Sequence, residues 1–126
     1  MIYIVLGIKA ILSVARSGLL KHSKEDIPHY LYIPADDHKD YEIFEHFNQT
    51  YEFIEQARKE TNVLVHCMAG VSRSVTIVMA YLLKKYKASL NQVISMIQRK
   101  RKKVNKIHIK INPNKGFIEQ LKKYSK

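Results

Sequence analysis

His66-Cys67-Met68-Ala69-Gly70-Val71-Ser72-Arg73-Ser74 follows the β-branched run Asn62-Val63-Leu64-Val65 and leads into the apolar segment Val75 to Leu83. A buried strand that breaks into a glycine-containing loop and then a helix aims loop amides and a helix N-terminus at one point, which builds an anion cradle. The chain's only cysteine ends this strand, and an arginine stands six residues after it. A thiol, a ring of amides and a guanidinium on one short loop point to nucleophilic attack on a phosphate ester.

The spacing suits that chemistry atom by atom. A thiolate is the nucleophile, and a helix N-terminus, several amides and Arg73 all favour it over the thiol. The amides of Met68, Ala69, Gly70, Val71, Ser72 and Arg73 are enough to hold three non-bridging phosphate oxygens, and a guanidinium fork fits two of them. Gly70 lets the backbone curl tightly enough to aim those amides inward. The hydroxyl of Ser74 is placed to donate to the sulfur, first as attacking and later as leaving group. A lone cysteine at a strand end is most often a small buried hydrophobe. His66, Gly70, Arg73 and Ser74 at these offsets reverse that reading, because a buried strand has no structural need for an arginine and a serine around its end.

The 126 residues fit one domain, 1–126, with enough chain for a core that needs no disulfide staple. A hydrophobic share of 46% and a charged share of 26% are those of an ordinary soluble globular protein. One cysteine excludes an intramolecular disulfide, and with six scattered histidines and no CxxC or HxxxH it argues against a metal site. No cofactor is expected. A reducing compartment, cytoplasmic or nuclear, is the natural setting for a functional thiol. The net charge of +11 favours anionic partners, among them nucleic acid, acidic lipid and phosphorylated protein. Much of it lies in Arg99-Lys100-Arg101-Lys102-Lys103 and the tail lysines, where a solvated helix end is the plainer account. Nucleic-acid motifs with interleaved aromatics are absent. The apolar run Val75 to Leu83 is far short of the roughly 20 residues of a membrane span, and Met1 to Val14, interrupted by Lys9, reads as buried strand.

Along the chain, Ile2 to Leu6 and Ile8 to Val14 read as strand, turn and strand, or as a helix end and a strand. Ala15 to Pro28 reads as a surface loop, Tyr30 to Ile33 as a strand closed by Pro34, and Ala35 to Asp40 as an acidic loop. Ile43, Phe44, Phe47, Tyr51, Ile54 and Ala57 recur at helical spacing and predict one amphipathic helix of four to five turns. Thr76 to Leu83, apolar nearly all round, predicts a buried central helix. Ser89-Leu90-Asn91-Gln92 is a capping box, opening a helix that buries Leu90, Val93, Ile94 and Ile97. Pro113-Asn114 opens a last helix with Phe117, Ile118, Leu121 and Tyr124 inward. Alternating strands and helices imply an α/β fold, a central mostly parallel sheet flanked by helices, with the ligand site at the carboxyl ends of the strands.

HCMAGVSRS resembles the Cys-x5-Arg-Ser/Thr signature of the protein tyrosine phosphatase superfamily, and in detail the loop of the dual-specificity phosphatases. The resemblance runs from Ile8 through ILSVA, YLYIPADD, FEHFNQTYEFIEQA and AYLL to PNKGFIEQL, more than four-fifths of the chain. It implies a cysteine-phosphatase fold and hydrolysis of phosphotyrosine and phosphoserine/phosphothreonine through a phosphocysteine intermediate. Cys67 becomes the nucleophile, Arg73 the phosphate clamp, Ser74 the residue assisting breakdown of the intermediate, and His66 a group tuning the thiolate from behind the loop. The family's mobile aspartate protonates the leaving oxygen and then activates water; Asp36, Asp37 and Asp40 compete for that role. Relatives place this acid ten residues before an aromatic on the following helix, which is Phe47 here and selects Asp37, with Asp40 left to solubility or helix capping. Met68, Ala69, Val71 and Ser72 are neutral where phosphoinositide-directed relatives carry basic residues, so phosphorylated proteins are the expected partners. A shallow cleft without a tyrosine-recognition loop is expected to admit all three phosphorylated side chains.

Two departures stand out. Only seven residues precede Ile8, where relatives have a strand and a short helix, so the start reads as truncated, or as a diverged domain with its first strand at Ile2 to Leu6. Loss of that strand and helix leaves a sheet edge open to pairing with a second copy, making monomer or dimer the expected states. An insert around Lys106 to Lys110 is expected to form a surface excursion. The competing readings are the same chemistry on lipid or carbohydrate phosphates, and a silent phospho-binding module. Pseudophosphatases of the second kind generally lack the cysteine or the arginine that this chain keeps.

Overall fold

The computed structural model describes residues 8–16, 27–67, 72–105 and 111–125. Three parallel strands, β1 (Ile8–Ala15), β2 (His29–Pro34) and β3 (Asn62–Cys67), lie in the order β2-β1-β3. The helices are α1 (Phe47–Ala57), α2 (Arg73–Tyr86), α3 (Leu90–Asn105) and α4 (Lys115–Tyr124). Ile2 to Leu6, most of the loop from Ala15 to Pro28 and the Lys106 to Lys110 insert lie outside the described residues.

β1 is central because both of its faces are covered. Ala10, Ile11, Leu12, Ser13 and Val14 are all fully buried, which is why the strand reads as a continuous apolar run without alternation. A register shift between Ile8 and Ala10 leaves Lys9 exposed at the strand's start, its N–H donating to Thr61 Oγ1 at 3.1 Å. Among the described residues β3 pairs only with β1, so its other side is a sheet edge. The pairings Val14 with Cys67 and Ala15 with Pro34 bring the three carboxyl ends level. The acidic loop and the nucleophile loop therefore leave the same end of the sheet, on either side of β1.

α2 packs on β3 and is buried along Val75, Thr76, Ile77, Met79, Ala80, Tyr81 and Leu83, as its all-round apolar sequence predicts. α3 starts with the reciprocal capping box: Gln92 N–H donates to Ser89 Oγ at 3.2 Å and Ser89 N–H to Gln92 Oε1 at 2.8 Å. Asn114 caps α4, accepting from Phe117 N–H at 2.9 Å, and Phe117 and Leu121 are fully buried. Burying Phe117 alone contributes roughly 1.5–3 kcal/mol; Ile118 and Tyr124 are only partly buried.

The single helix expected from Ile43 is divided. Ile43–His46 forms a 3₁₀ turn, and the α-helix begins at Phe47. α4 caps the start of this segment: Phe44 N–H donates to Gln120 Oε1 at 2.9 Å, and Gln120 Nε2 donates to the Tyr41 carbonyl at 2.8 Å. Phe44 is half exposed, at 50%, and is not on the buried stripe that its spacing suggested.

Candidate active site

The site gathers residues from β1, β3, the first turn of α2, the acidic loop after β2 and the N-terminus of α4. Cys67 is 8% exposed at the end of β3, and its Sγ lies 3.1 Å from Ser74 Oγ in the first turn of α2. The thiol donates to that hydroxyl; on ionisation the hydroxyl can turn and donate to the sulfur instead. This is the contact expected of Ser74.

His66 is buried, and its Nε2 lies 2.6 Å from Ser13 Oγ on β1. Ser13 and His66 are register partners in the parallel ladder, so their side chains share a face. Ser13 is a buried polar residue in the midst of an apolar strand, and it was not anticipated as part of the site. A hydroxyl inside a run such as Ile11-Leu12-Ser13-Val14 is the available signal, since burial demands a partner for it.

Arg73 is 8% exposed and donates from Nη1 to the Ala35 carbonyl at 3.1 Å. Its buried Nε has no hydrogen-bond partner among the described residues, and no carboxylate among them pairs with it. A buried guanidinium with an open donor and no counter-ion is costly unless an anion fills the place. α2 carries no acidic residue in its first turn, so the positive end of its dipole also remains uncompensated there.

Ser72 occupies the N-cap position of α2 but makes no side-chain cap, because its Oγ instead accepts the Asn114 N–H at 3.1 Å. Its carbonyl receives Thr76 N–H at 2.9 Å and Thr76 Oγ1 at 2.7 Å. The loop's remaining amides, those of Met68, Ala69, Gly70 and Val71, lie outside the described residues.

The three aspartates of the acidic loop have separate partners. Asp37 Oδ1 accepts from Asn114 Nδ2 at 3.0 Å. Asp36 Oδ1 lies 3.5 Å from Arg16 Nε, both exposed. Asp40 caps no helix; it sits beside His38, 3.7 Å from Nδ1, because the chain turns there instead of entering a helix. The loop is pinned at its ends, by Ala35 N–H on the Ala15 carbonyl at 3.2 Å and by Tyr41 Oη donating to the Pro34 carbonyl at 2.6 Å. His46 Nε2 lies 2.8 Å from the same Tyr41 hydroxyl, and burial lowers the His46 pKa while raising that of Tyr41. Among the described residues no group of three or more histidine, cysteine or acidic side chains is disposed to hold a metal. No helix among them is long and apolar enough to cross a membrane.

Comparison with known proteins agrees with this geometry. The family model described as the catalytic domain of dual specificity phosphatases matches residues 2–126. Human dual specificity protein phosphatase 9 is 42% identical over 117 residues, covering 92% of this chain and 29% of that protein. MAP kinase phosphatase with leucine-rich repeats protein 3 of Dictyostelium discoideum is 44% identical over 98 residues, covering 75% of this chain and 11% of the relative. The chain thus spans well under a third of the length of these two relatives. Among solved structures, the human tyrosine phosphatase-like serine/threonine/tyrosine-interacting protein superposes with a TM-score of 0.81 at 30% identity, covering 94% of this chain and 76% of that one. DUSP15 superposes with a TM-score of 0.78 at 35% identity, over 94% of this chain and 70% of that one. With a family model matched over residues 2–126 and a relative 42% identical over 92% of this chain, the chain belongs to the family of dual specificity phosphatase catalytic domains.

Proposed function

We propose that this chain hydrolyses phosphate monoesters on proteins, with phosphotyrosine, phosphoserine and phosphothreonine as substrates and Cys67 as nucleophile. The observation that carries the reading is the buried Arg73 guanidinium, with an open Nε donor and no counter-ion among the described residues, six positions after a cysteine whose sulfur touches a serine hydroxyl. An open, buried guanidinium donor beside a thiol is complementary to a phosphoryl group.

The chemistry follows in two displacements. The Cys67 thiolate attacks phosphorus, the S–P bond forms and the ester P–O bond breaks, while Asp37 gives its proton to the departing oxygen. Arg73 and the loop amides hold the equatorial oxygens, whose charge the α2 N-terminus also favours. Water then attacks phosphorus and loses a proton to the Asp37 carboxylate. The S–P bond breaks, and Ser74 donates to the departing thiolate. Asp37 is preferred over Asp36 and Asp40 because its carboxylate alone is tied to the element that also touches the nucleophile loop. His66, bonded to Ser13 on β1, is taken to tune the thiolate of the adjacent Cys67.

The test compares wild type, Cys67→Ser and Asp37→Ala on an aryl phosphate and on phosphotyrosine and phosphothreonine peptides. Cys67→Ser is expected to abolish turnover on all of them. Asp37→Ala is expected to lower kcat/KM on the peptides by about 10²–10⁴-fold, the usual share of general acid catalysis. Retained activity in Cys67→Ser overturns the mechanism. Higher turnover of phosphoinositides than of phosphopeptides moves the substrate class to lipids. The side of β3 that pairs with no strand among the described residues would offer a second copy a place to pair, which light scattering reads directly.

A further inference from the structure

Asn114 touches three parts of the molecule with four groups. Its Oδ1 accepts Phe117 N–H at 2.9 Å, and its carbonyl accepts Ile118 N–H at 3.0 Å, so both oxygens serve α4. Its backbone N–H donates to Ser72 Oγ at 3.1 Å, at the end of the nucleophile loop. Its Nδ2 donates to Asp37 Oδ1 at 3.0 Å, on the acidic loop. The three partners are far apart in sequence, at 37, 72 and 117, and this residue bonds to all of them.

An exposed hydrogen bond to a flexible carboxylate is ordinarily weak, because ordering both side chains offsets most of the gain. Here one side is ordered beforehand. The capping bond to Phe117 fixes the Asn114 side chain, and buried Pro113 precedes it, with Asn114 itself at φ −62° and ψ 162°, an extended N-cap backbone. The donor is thus presented to Asp37 at little further entropic cost.

We propose that Asn114 is a positioning residue for the general acid: it occupies Oδ1 of Asp37 and leaves Oδ2 as the oxygen that carries the transferred proton. An amide N–H can donate to Oδ1 both when Asp37 is ionised and when it is protonated on the other oxygen, so the contact survives the whole catalytic cycle. Through Ser72 the same residue references the acid to the nucleophile loop, which fixes the acid's position relative to the sulfur. The inference rests on Asp37 being the general acid.

The discriminating variant is Asn114→Ser. Serine still caps α4 and keeps the backbone N–H on Ser72, but its side chain is too short to serve Asp37 as well. The expected result is a fall in kcat/KM of about tenfold on a phosphoserine peptide, whose leaving oxygen requires a proton. On a fluorinated umbelliferyl phosphate, whose leaving oxygen requires none, the fall is expected to stay under about twofold. Vanadate affinity, which reads the Cys67–Arg73 cradle, is expected to be unchanged. In the Asp37→Asn background the serine substitution should cost nothing further, since the two act as a unit. Equal losses on both substrates, weakened vanadate binding, additive losses in the double variant, or unchanged rates in Asn114→Ser each overturn the proposal. If Asp37→Asn alone leaves the peptide rate intact, the assignment of the acid fails first, and the role of Asn114 with it.

Discussion

The carbonyl oxygen of Lys39 lies 1.8 Å from where a Cβ on Gly116 would stand. No real Cβ tolerates that approach, so the acidic loop rests directly on the first turn of α4 because residue 116 has no side chain. The sequence Pro113-Asn114-Lys115-Gly116-Phe117 thereby acquires a division of labour. Asn114 caps the helix and holds Asp37, Gly116 admits the loop, and Phe117 anchors the helix in the core. Gly116→Ala should push the loop off α4, costing about 1–3 kcal/mol as an overpacked contact does and lowering kcat/KM on phosphopeptides by about ten- to a hundredfold through misplacement of Asp37. Thermal unfolding together with peptide kinetics checks this; an unchanged melting temperature with unchanged rates contradicts it.

Behind the nucleophile, Ser13 Oγ and His66 Nε2 are 2.6 Å apart in a fully packed layer. Ser13→Ala removes that bond without adding volume. It is expected to destabilise the fold by about 1–2 kcal/mol, the usual cost of losing a buried hydrogen bond partner. Because His66 immediately precedes Cys67, its loosened ring should also slow alkylation of Cys67 by iodoacetamide at pH 7. Full stability and an unaltered alkylation rate would remove Ser13 from the site.

What could be read ahead of the structure was local. The strand that ends at Cys67, the helix from Arg73 with its buried length, the Ser89 capping box and the helix opened by Asn114 each carry their signal within a few residues. The pairings that assemble the site are separated by long stretches of chain and leave no such signal. Ser13 meets His66 across 53 positions, and Asn114 meets Asp37 across 77. The division at Phe47 was hidden because apolar spacing from Ile43 onward is compatible with α or 3₁₀ winding, and the side chain that caps the segment, Gln120, stands 76 positions from Phe44. Asp36, Asp37 and Asp40 are alike by composition; the resemblance selects Asp37 by its spacing to Phe47, and in the structure its bond to Asn114 distinguishes it.

Glu55 ties α1 to α2. Tyr81 donates to its Oε1, Lys85 Nζ stands 3.0 Å from Oε2, and Arg58 Nη1 stands 3.4 Å from Oε1. The Tyr81 hydrogen bond first, and that of Lys85 next, hold the carboxyl down to about 2 from 4.5. Burial and the bond to Glu55 push the Tyr81 hydroxyl up to about 12 from 10.0. A carboxyl depressed in the fold binds fewer protons there than in the unfolded chain, so its stabilisation is present above pH 4.5 and is lost as the pH falls through 2. The tyrosine works in the opposite sense, with stability retained below pH 10.0 and lost as the pH rises through 12. Glu55→Gln should therefore lower the urea midpoint at neutral pH, with the gap from wild type closing between pH 4.5 and 2. A gap that is constant across this window would show that ionisation of Glu55 contributes nothing.

α2 ends at Lys87, the only non-glycine residue with positive φ among the described residues, at φ 51° and ψ 38°. The left-handed conformation costs an L-residue roughly 1–2 kcal/mol, because its Cβ crowds the following carbonyl. Glycine removes that cost but enlarges the freedom of the unfolded chain, which returns about 0.4–1 kcal/mol. Lys87→Gly should thus gain about 0.5–1 kcal/mol and raise the melting temperature by about 2–4 °C. Lys87→Ala keeps the strain and should gain nothing. The change lies at the far end of α2 from Arg73, roughly 20 Å along the helix, so peptide kinetics should be those of wild type. A melting temperature that falls in Lys87→Gly would mean that the lysine side chain, and not the backbone, secures this end of the helix.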